Sequence, residues 1–377
     1  MNNRDRVQQE AIEAIIKNKG RGILTLATGI GKSKITIDYA NKIRAKSIAL
    51  IVPTQKLRDE NWKDEFIKWD SEKLWNKVIR ICYQSAHKIK DNNFDLVIMD
   101  ELHSITELNS QFFDNNYCKD IIGLTATFPK EDIKKDILKS LGLKVIYNLD
   151  IDQATELGIV SPFKITVIYT KLDDKVAYIP AGNKIKSFLS TEKNQYNYIN
   201  TVIRKAKNTY EPDKDKVEKK INFLLLKRMR LIYNLRSKAN TARYFLNNYI
   251  NPEERTLVFC GSIDQANNIC KYKYHSESGD EDYNKFKSLK INQLSCVQSL
   301  DEGENIPLLD NAIIVQLNSQ ERNLIQRIGR LIRYREGHTA KVYIFCCLDT
   351  QDEVWLNKSL ENFDKNNIEY KTISNFK

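Results

Sequence analysis

Leu26-Ala27-Thr28-Gly29-Ile30-Gly31-Lys32-Ser33 is the stretch on which the fold turns. It follows the apolar run Gly22-Ile23-Leu24-Thr25-Leu26, which reads as a buried strand, and it opens an amphipathic stretch that reads as a helix. Strand, glycine-containing turn and helix N-terminus in that order make an anion site. Backbone N–H groups converge on the ligand, and the glycines let the backbone approach it closely. Thr28, Gly29, Ile30 and Gly31 would line the phosphates of a nucleotide, Lys32 would reach the β- and γ-phosphates, and the Ser33 hydroxyl would ligate Mg²⁺. Leu26 stands where the full pattern G-x-x-x-x-G-K-[ST] has its first glycine, and a chance Gly-Lys-Ser turn is the competing reading.

Outward from the loop, the run Leu96-Val97-Ile98-Met99 delivers Asp100-Glu101-Leu102-His103 sixty-eight residues after Lys32. Carboxylates that leave a buried strand at its carboxyl end sit on the edge where ligands bind in open parallel sheets. Asp100 is placed to hold the Mg²⁺ shell, and Glu101 to orient or deprotonate an attacking water. Ser47–Val52 and Ile121–Leu124 read as further buried strands, and after 255 the rhythm returns in Thr256–Phe259, Ala312–Val315 and Lys341–Phe345. The expected fold is α/β: two parallel-sheet lobes joined by a basic, mainly helical segment. The expected boundaries are 1–170 for the first domain, 171–250 for the helical segment and 251–377 for the second domain. Ile221 to Tyr249 reads as one or two helices.

Composition narrows the possibilities. A chain of 377 residues, 41% hydrophobic and 29% charged, buries real cores and is not disordered throughout. No apolar run approaches the ~18–20 residues of a membrane span, so no membrane is expected as partner. A polar N-terminus argues against secretion, and seven cysteines without a CxxC pair argue against structural zinc. Reduced thiols in a cytoplasmic compartment, bacterial or phage-infected, and a monomer are the expectations. Residues 171–250 hold 18 Lys/Arg against 7 Asp/Glu, an excess equal to the net +11 of the whole chain. Positive charge confined to one segment points to an anionic polymer, with a solvated helical face as the bland alternative.

The order of motifs resembles that of superfamily 2 DExH-box helicases and translocases, nearest the branch of excision-repair, phage branch-migration and restriction-enzyme motor helicases. Ile51-Val52-Pro53-Thr54 looks like the strand end that touches a nucleic-acid backbone, and Tyr83-Gln84-Ser85 like the step before the acidic motif. Thr125-Ala126-Thr127 matches the segment that couples hydrolysis to strand movement. Ser299 to Pro307 and Gln326-Arg327-Ile328-Gly329-Arg330-Leu331-Ile332-Arg333 match the two motifs of the second lobe. The resemblance implies two RecA-like lobes and ATP with Mg²⁺ as cofactors. Catalytic roles fall to Lys32, Asp100, Glu101, Gln326, Arg330 and Arg333, the two arginines reaching the γ-phosphate. Gly303 and Asn305 are implied near the nucleotide, Ser299 near the strand, and His103 in coupling with Thr125 and Thr127. Gln8, with Gln9 as the alternative, is implied to read adenine.

In the middle segment Lys227, Arg228 and Arg230 lie among aromatic residues, a composition suited to tracking phosphates and stacking bases. Phe223, Leu224 and Leu225 are expected to be core. The nucleic-acid contacts expected in all are Pro53, Thr54, Gln84, Ser299, Lys227, Arg228 and Arg230. The leading reading is an ATP-dependent helicase or translocase that unwinds, branch-migrates or remodels DNA in replication, recombination or repair, with accessory proteins of those processes as partners. An ATP-driven clamp, a motor subunit of a larger complex and an RNA helicase are the alternatives.

Overall fold

The computed structural model describes residues 2–182, 186–208, 214–297, 306, 309–317, 324, 328–329, 335, 337–361 and 363–376. They form two compact units, one holding residues 2–162 with Ile328, Gly329, Arg335, Gly337 and His338, the other the remainder.

The first unit runs α1 (Asn3–Lys17), β1 (Arg21–Leu26), α2 (Lys32–Lys42), β2 (Ile48–Val52), α3 (Trp62–Lys68), α4 (Glu72–Trp75) and β3 (Val78–Cys82). It continues through β4 (Asn93–Met99), α5 (Glu107–Asp114), β5 (Tyr117–Thr125), α6 (Asp132–Ser140), β6 (Val145–Leu149) and α7 (Ile151–Glu156). The six strands form one sheet in the order β3-β2-β4-β5-β1-β6, every pair parallel. Parallel sheets are covered on both faces, and β2 is accordingly buried at all five positions as an unbroken Ile-Ala-Leu-Ile-Val run. Ile23, Ile51, Val97 and Ile121 contribute to one continuous core cluster. The order matters for function. Both β1 and β4 end at the carboxyl edge with only β5 between them, so the phosphate loop and the acid pair open on the same crevice.

The second unit begins with β7 (Phe163–Thr170), the hairpin β8 (Ile179–Gly182) and β9 (Ser187–Ser190), and the helices α8 (Glu192–Asn208), α9 (Lys214–Tyr233) and α10 (Arg236–Tyr249). Then come β10 (Thr256–Cys260), α11 (Ile263–Ile269), β11 (Lys273–Tyr274), α12 (Glu281–Lys287), β12 (Gln293–Val297), β13 (Asn311–Ile314), β14 (Ala340–Cys347), α13 (Gln351–Ser359) and β15 (Ile368–Thr372). Its seven-stranded parallel sheet is ordered β11-β12-β10-β13-β14-β7-β15.

Two expectations shift. Phe163–Thr170, assigned by the sequence pattern to a first domain ending at 170, pairs along its full length with β14 in the second sheet. A strand's alternation reports that it is buried but not in which sheet. The segment 171–250 is mainly helical as expected, yet it is no free-standing linker. Ala242, Phe245 and Leu246 of α10 are buried with Ile168, Val258 and Ile313 of the second sheet. Phe223, expected in the core, is 65% exposed, and Leu224 and Leu225 are only partly buried. An apolar triplet at consecutive positions points three ways around a helix and cannot all face one core. All seven cysteines are free and buried.

Candidate functional site

The phosphate loop leaves β1 at Leu26, and Gly31 caps α2. Gly29 and Gly31 hold φ of 91° and 96°, the left-handed region that side chains avoid. No side chain caps α2 and no acidic residue lies in its first turn, so its leading N–H groups are left for an anion. Around this loop, buried polar atoms stand without hydrogen bonds: Gln8 Oε1, Thr25 Oγ1, Thr28 Oγ1, Lys32 Nζ and Glu101 Oε2. Buried polar groups are ordinarily satisfied, so orphans gathered at one loop mark groups that a polar ligand would satisfy. With the free N–H groups of α2 and the neighbouring Asp100, their chemistry suits a triphosphate and its cation: a lysine, hydroxyls and a carboxylate.

Asp100 extends the pairing of β4, its N–H bonded to Ile51 O at 2.9 Å. Its Oδ1 accepts from the Glu101 N–H at 3.0 Å, its Oδ2 from Trp62 Nε1 at 2.9 Å, and its carbonyl from Tyr83 Oη at 3.0 Å. Burial, reinforced by the Glu101 carboxylate and opposed by Lys32 and the Trp62 bond, pushes the Asp100 carboxyl up to about 6. The same surroundings push the buried Tyr83 hydroxyl well above its ordinary range, with burial the main cause. Glu101 turns out of the strand at a φ of 49°, and its Oε2 lies 3.4 Å from Nδ1 of the buried His103. A carboxylate held in a left-handed turn is a strained placement of the kind that functional sites retain. Thr125, wholly buried at the end of β5, donates to Thr127 O at 2.7 Å and fixes the turn beside the loop.

Gln8 and Gln9 differ sharply. Gln8 is buried and donates to Ile30 O at 2.8 Å, whereas Gln9 points away and bonds Glu13 at 2.9 Å. Of the residues 326–333, only Ile328 and Gly329 are described. Ile328 is buried, and Gly329 lies so close to Thr28 that a side chain there would collide with it. Ser299, Gly303, Asn305, Gln326, Arg330 and Arg333 lie outside the described residues.

The family described as "Type III restriction enzyme, res subunit" matches residues 3–130, and that described as "Helicase conserved C-terminal domain" matches residues 237–335. The chain belongs to the superfamily 2 helicases and translocases. Its two sheets are the RecA-like lobes of that superfamily, and the protein is an ATP-hydrolysing enzyme. It is 26% identical over 363 residues to a DNA 3'-5' translocase, XPB2, of Sulfurisphaera tokodaii, covering 89% of this chain and 80% of that one. Its fold matches the helicase domain of Pyrococcus furiosus Hef at a TM-score of 0.56 and 16% identity, over 94% of this chain and 97% of that one. It also matches the ATP-dependent Type ISP restriction-modification enzyme LlaBIII bound to DNA, at a TM-score of 0.59 and 16% identity. There the match takes in 97% of this chain but only 31% of the larger enzyme.

For this helicase the expected strand-contacting residues divide by exposure. Pro53 and Thr54 are half-buried at the end of β2, where Thr54 Oγ1 accepts from Leu57 N at 3.3 Å and starts a helical turn. Gln84 is exposed, and it follows Tyr83, whose hydroxyl donates to Asp100 O. Lys227 and Arg230 are exposed on α9, while Arg228 is committed to Asn200 and Gln351. Trp62 and Glu65 were not legible as site residues, because a tryptophan on an amphipathic helix reads as core. Among the described residues no helix is long and apolar enough to cross a membrane.

Proposed function

We propose that the protein is a DNA translocase that couples ATP hydrolysis, with Mg²⁺, to movement along or remodelling of a duplex. The observation that carries this reading is the set of unsatisfied buried atoms around Lys32, facing Asp100 and Glu101 across one sheet edge. Lys32 and the N–H groups of α2 bind the β- and γ-phosphates. Ser33 and Asp100 hold the cation, which supplies charge neutralisation of those phosphates when bound. Glu101 orients the water that attacks the γ-phosphorus and receives its proton as ADP leaves. Arg330 and Arg333 contribute charge at the γ-phosphate, with Gln326, Gly303 and Asn305 beside the nucleotide. His103, Thr125 and Thr127 link hydrolysis to the strand, which Pro53, Thr54, Gln84, Ser299, Lys227, Arg228 and Arg230 contact.

DNA as substrate, and movement from 3' to 5', are carried over from the named translocase to which the chain is 26% identical. A place in replication, recombination or repair, including that of a phage, follows from the same reading. The second reading is a motor subunit within a larger assembly. It is favoured by the match to a restriction subunit and by the small share of the restriction-modification enzyme that this chain spans.

Steady-state ATP hydrolysis tests the proposal, measured alone and with single-stranded, duplex and branched DNA and with RNA, beside Glu101→Gln. Stimulation by DNA that disappears in the variant is the expected result. Stimulation by RNA alone overturns the DNA assignment, and turnover that no polynucleotide raises favours the motor subunit awaiting its assembly.

A further inference from the structure

Both residues assigned to the cation are held from one helix that lies outside the assigned machinery. Ser33 Oγ donates to Glu65 Oε2 at 2.7 Å, and Trp62 Nε1 donates to Asp100 Oδ2 at 2.9 Å. Trp62 and Glu65 are i and i+3 on α3 and therefore share a face. A π-helical turn, Leu57–Asn61, immediately precedes them, and its Trp62 N–H to Leu57 O bond spans five residues. One residue more than an α-turn rotates the following helix by about 100°, which decides what Trp62 and Glu65 face. Glu65 is itself steadied: its Oε2 also accepts from Trp69 Nε1 at 3.1 Å, and Lys68 lies 3.5 Å from Oε1. Trp62 is buried against Phe66, which packs on Trp75.

We propose, on the reading of Ser33 and Asp100 as ligands of the nucleotide-bound magnesium, that α3 positions both of them, Glu65 acting on Ser33 and Trp62 on Asp100. A hydroxyl has one proton. When Ser33 gives it to Glu65, the lone pairs of Oγ are left free to face a cation. The carboxylate also draws electron density onto that oxygen and makes it a better donor to a hard cation. At Asp100 each carboxylate oxygen receives one N–H, from Trp62 and from Glu101, so the plane of the group is fixed and one lone pair of each oxygen stays open. Glu65 and Trp62 are thus positioning residues, acting on the ligands and not on the phosphate.

The test uses the full chain, a fluorescent ATP analogue and a magnesium titration, with nucleotide affinity in EDTA measured separately. Replacing partners behind a metal ligand typically weakens metal affinity ~10–100-fold, so Glu65→Ala is expected to raise half-saturating magnesium about tenfold, with affinity in EDTA within about two-fold of the parent. Glu65→Gln, which keeps an acceptor oxygen but not the charge, should fall between Glu65→Ala and the parent. Trp62→Phe, which keeps the buried ring and removes the donor, should shift the titration in the same direction. Unchanged half-saturation in Glu65→Ala with an unchanged melting temperature overturns the proposal, and because Glu65 is partly exposed this variant decides even where Trp62→Phe misfolds. A parent protein that binds the analogue with no dependence on magnesium overturns the ligand reading itself. Magnesium dependence in the parent with no shift in the variants overturns only the role of α3.

Discussion

Each lobe buries a lysine near an aspartate, and the two pairs are built in opposite ways. In the second lobe Lys238 is wholly buried, with Nζ 2.5 Å from Asp352 Oδ2 and 2.9 Å from Gln316 Oε1. Asp352 Oδ2 also takes the Cys347 N–H at 2.9 Å, and Gln316 Nε2 bonds Leu317 O and Asp352 Oδ1. That network is closed, tying α10 to β14 and α13. In the first lobe Lys32 Nζ is buried without a hydrogen bond, and burial, reinforced by the Glu101 carboxylate, raises the Asp100 carboxyl to about 6. A closed buried network rigidifies a core, whereas an open one keeps hydrogen-bonding capacity that a ligand can use. The difference teaches that burial of a charged pair says little about function until its hydrogen bonds are counted.

Methionine in place of each lysine separates the two designs most widely. Lys238→Met leaves Asp352 buried without its counter-charge and is expected to cost ~3–5 kcal/mol of stability, read as a large fall in denaturation midpoint. Lys32→Met removes a buried ammonium that makes no hydrogen bond, only a longer-range attraction to Asp100, and is expected to leave the midpoint nearly unchanged. Its loss appears instead in ATP hydrolysis, by ~10²–10³-fold, the scale of removing one preorganised group that stabilises developing charge. Equal destabilisation by both would break the comparison. Adding Asp352→Leu to Lys238→Met should restore much of the lost midpoint, since a buried pair exchanged for apolar groups is often neutral.

The sequence separated these lysines only halfway. Lys32 was legible because glycines and a helix start surround it, and Asp100-Glu101 because they end an apolar run. Lys238 read as one more cation of a basic helix, since its partners at 316 and 352 are 78 and 114 residues away along the chain. The strands flanking the crevice were visible as apolar runs, but β3, β6 and β7 carry polar positions and gave weaker signals. Which sheet β7 joins depends on long-range pairing that no local pattern encodes. Trp62 and Glu65 were hidden for the same reason, their targets at Asp100 and Ser33 lying on other elements. Phe223 shows the reverse error, an apolar residue read as core that the fold leaves exposed.

Burial of Asp100 beside Glu101 has a second consequence, visible in the pH dependence of stability without nucleotide. The folded carboxyl titrates at about 6 and the unfolded one near ~3.9, so between those values the folded state binds more protons. Its contribution to stability is therefore intact below pH ~4 and is lost as pH rises through about 6. Two units correspond to ~3 kcal/mol, and because Asp100 is only partly screened from water at the loop mouth the expected cost is ~1–2 kcal/mol. Asparagine gives up one of the two acceptor oxygens at every pH, so the expected signature is the trend: the melting temperature of Asp100→Asn relative to the parent should rise between pH 4 and pH 7.5. A difference of the same size at both values would show that burial and Glu101 do not disfavour the carboxylate, and would remove half of the contrast with Asp352.

The finest version of the contrast lies in two buried glutamines. Gln316 spends both ends of its amide within the second lobe, on Lys238 and on Leu317. Gln8 spends only one. Its Nε2 donates to Ile30 O at 2.8 Å, which decides the orientation of the amide, because the opposite setting would face two oxygens together. Oε1 is thereby left as a buried acceptor without a donor. Beside a phosphate loop, such an acceptor suits the exocyclic amino group of adenine and opposes the carbonyl oxygen that guanine carries at the same place. Gln8→Ala is expected to lower the preference for ATP over GTP by about tenfold, the worth of ~1–1.5 kcal/mol from one buried hydrogen bond. Gln9→Ala, whose amide is engaged with Glu13, should leave that preference alone. Competition of each nucleotide against a fluorescent ATP analogue measures the ratio directly. A ratio unmoved by Gln8→Ala would mean that the open acceptor answers to the protein's own water and not to a base, and that the orphans around Lys32 outline the phosphates alone.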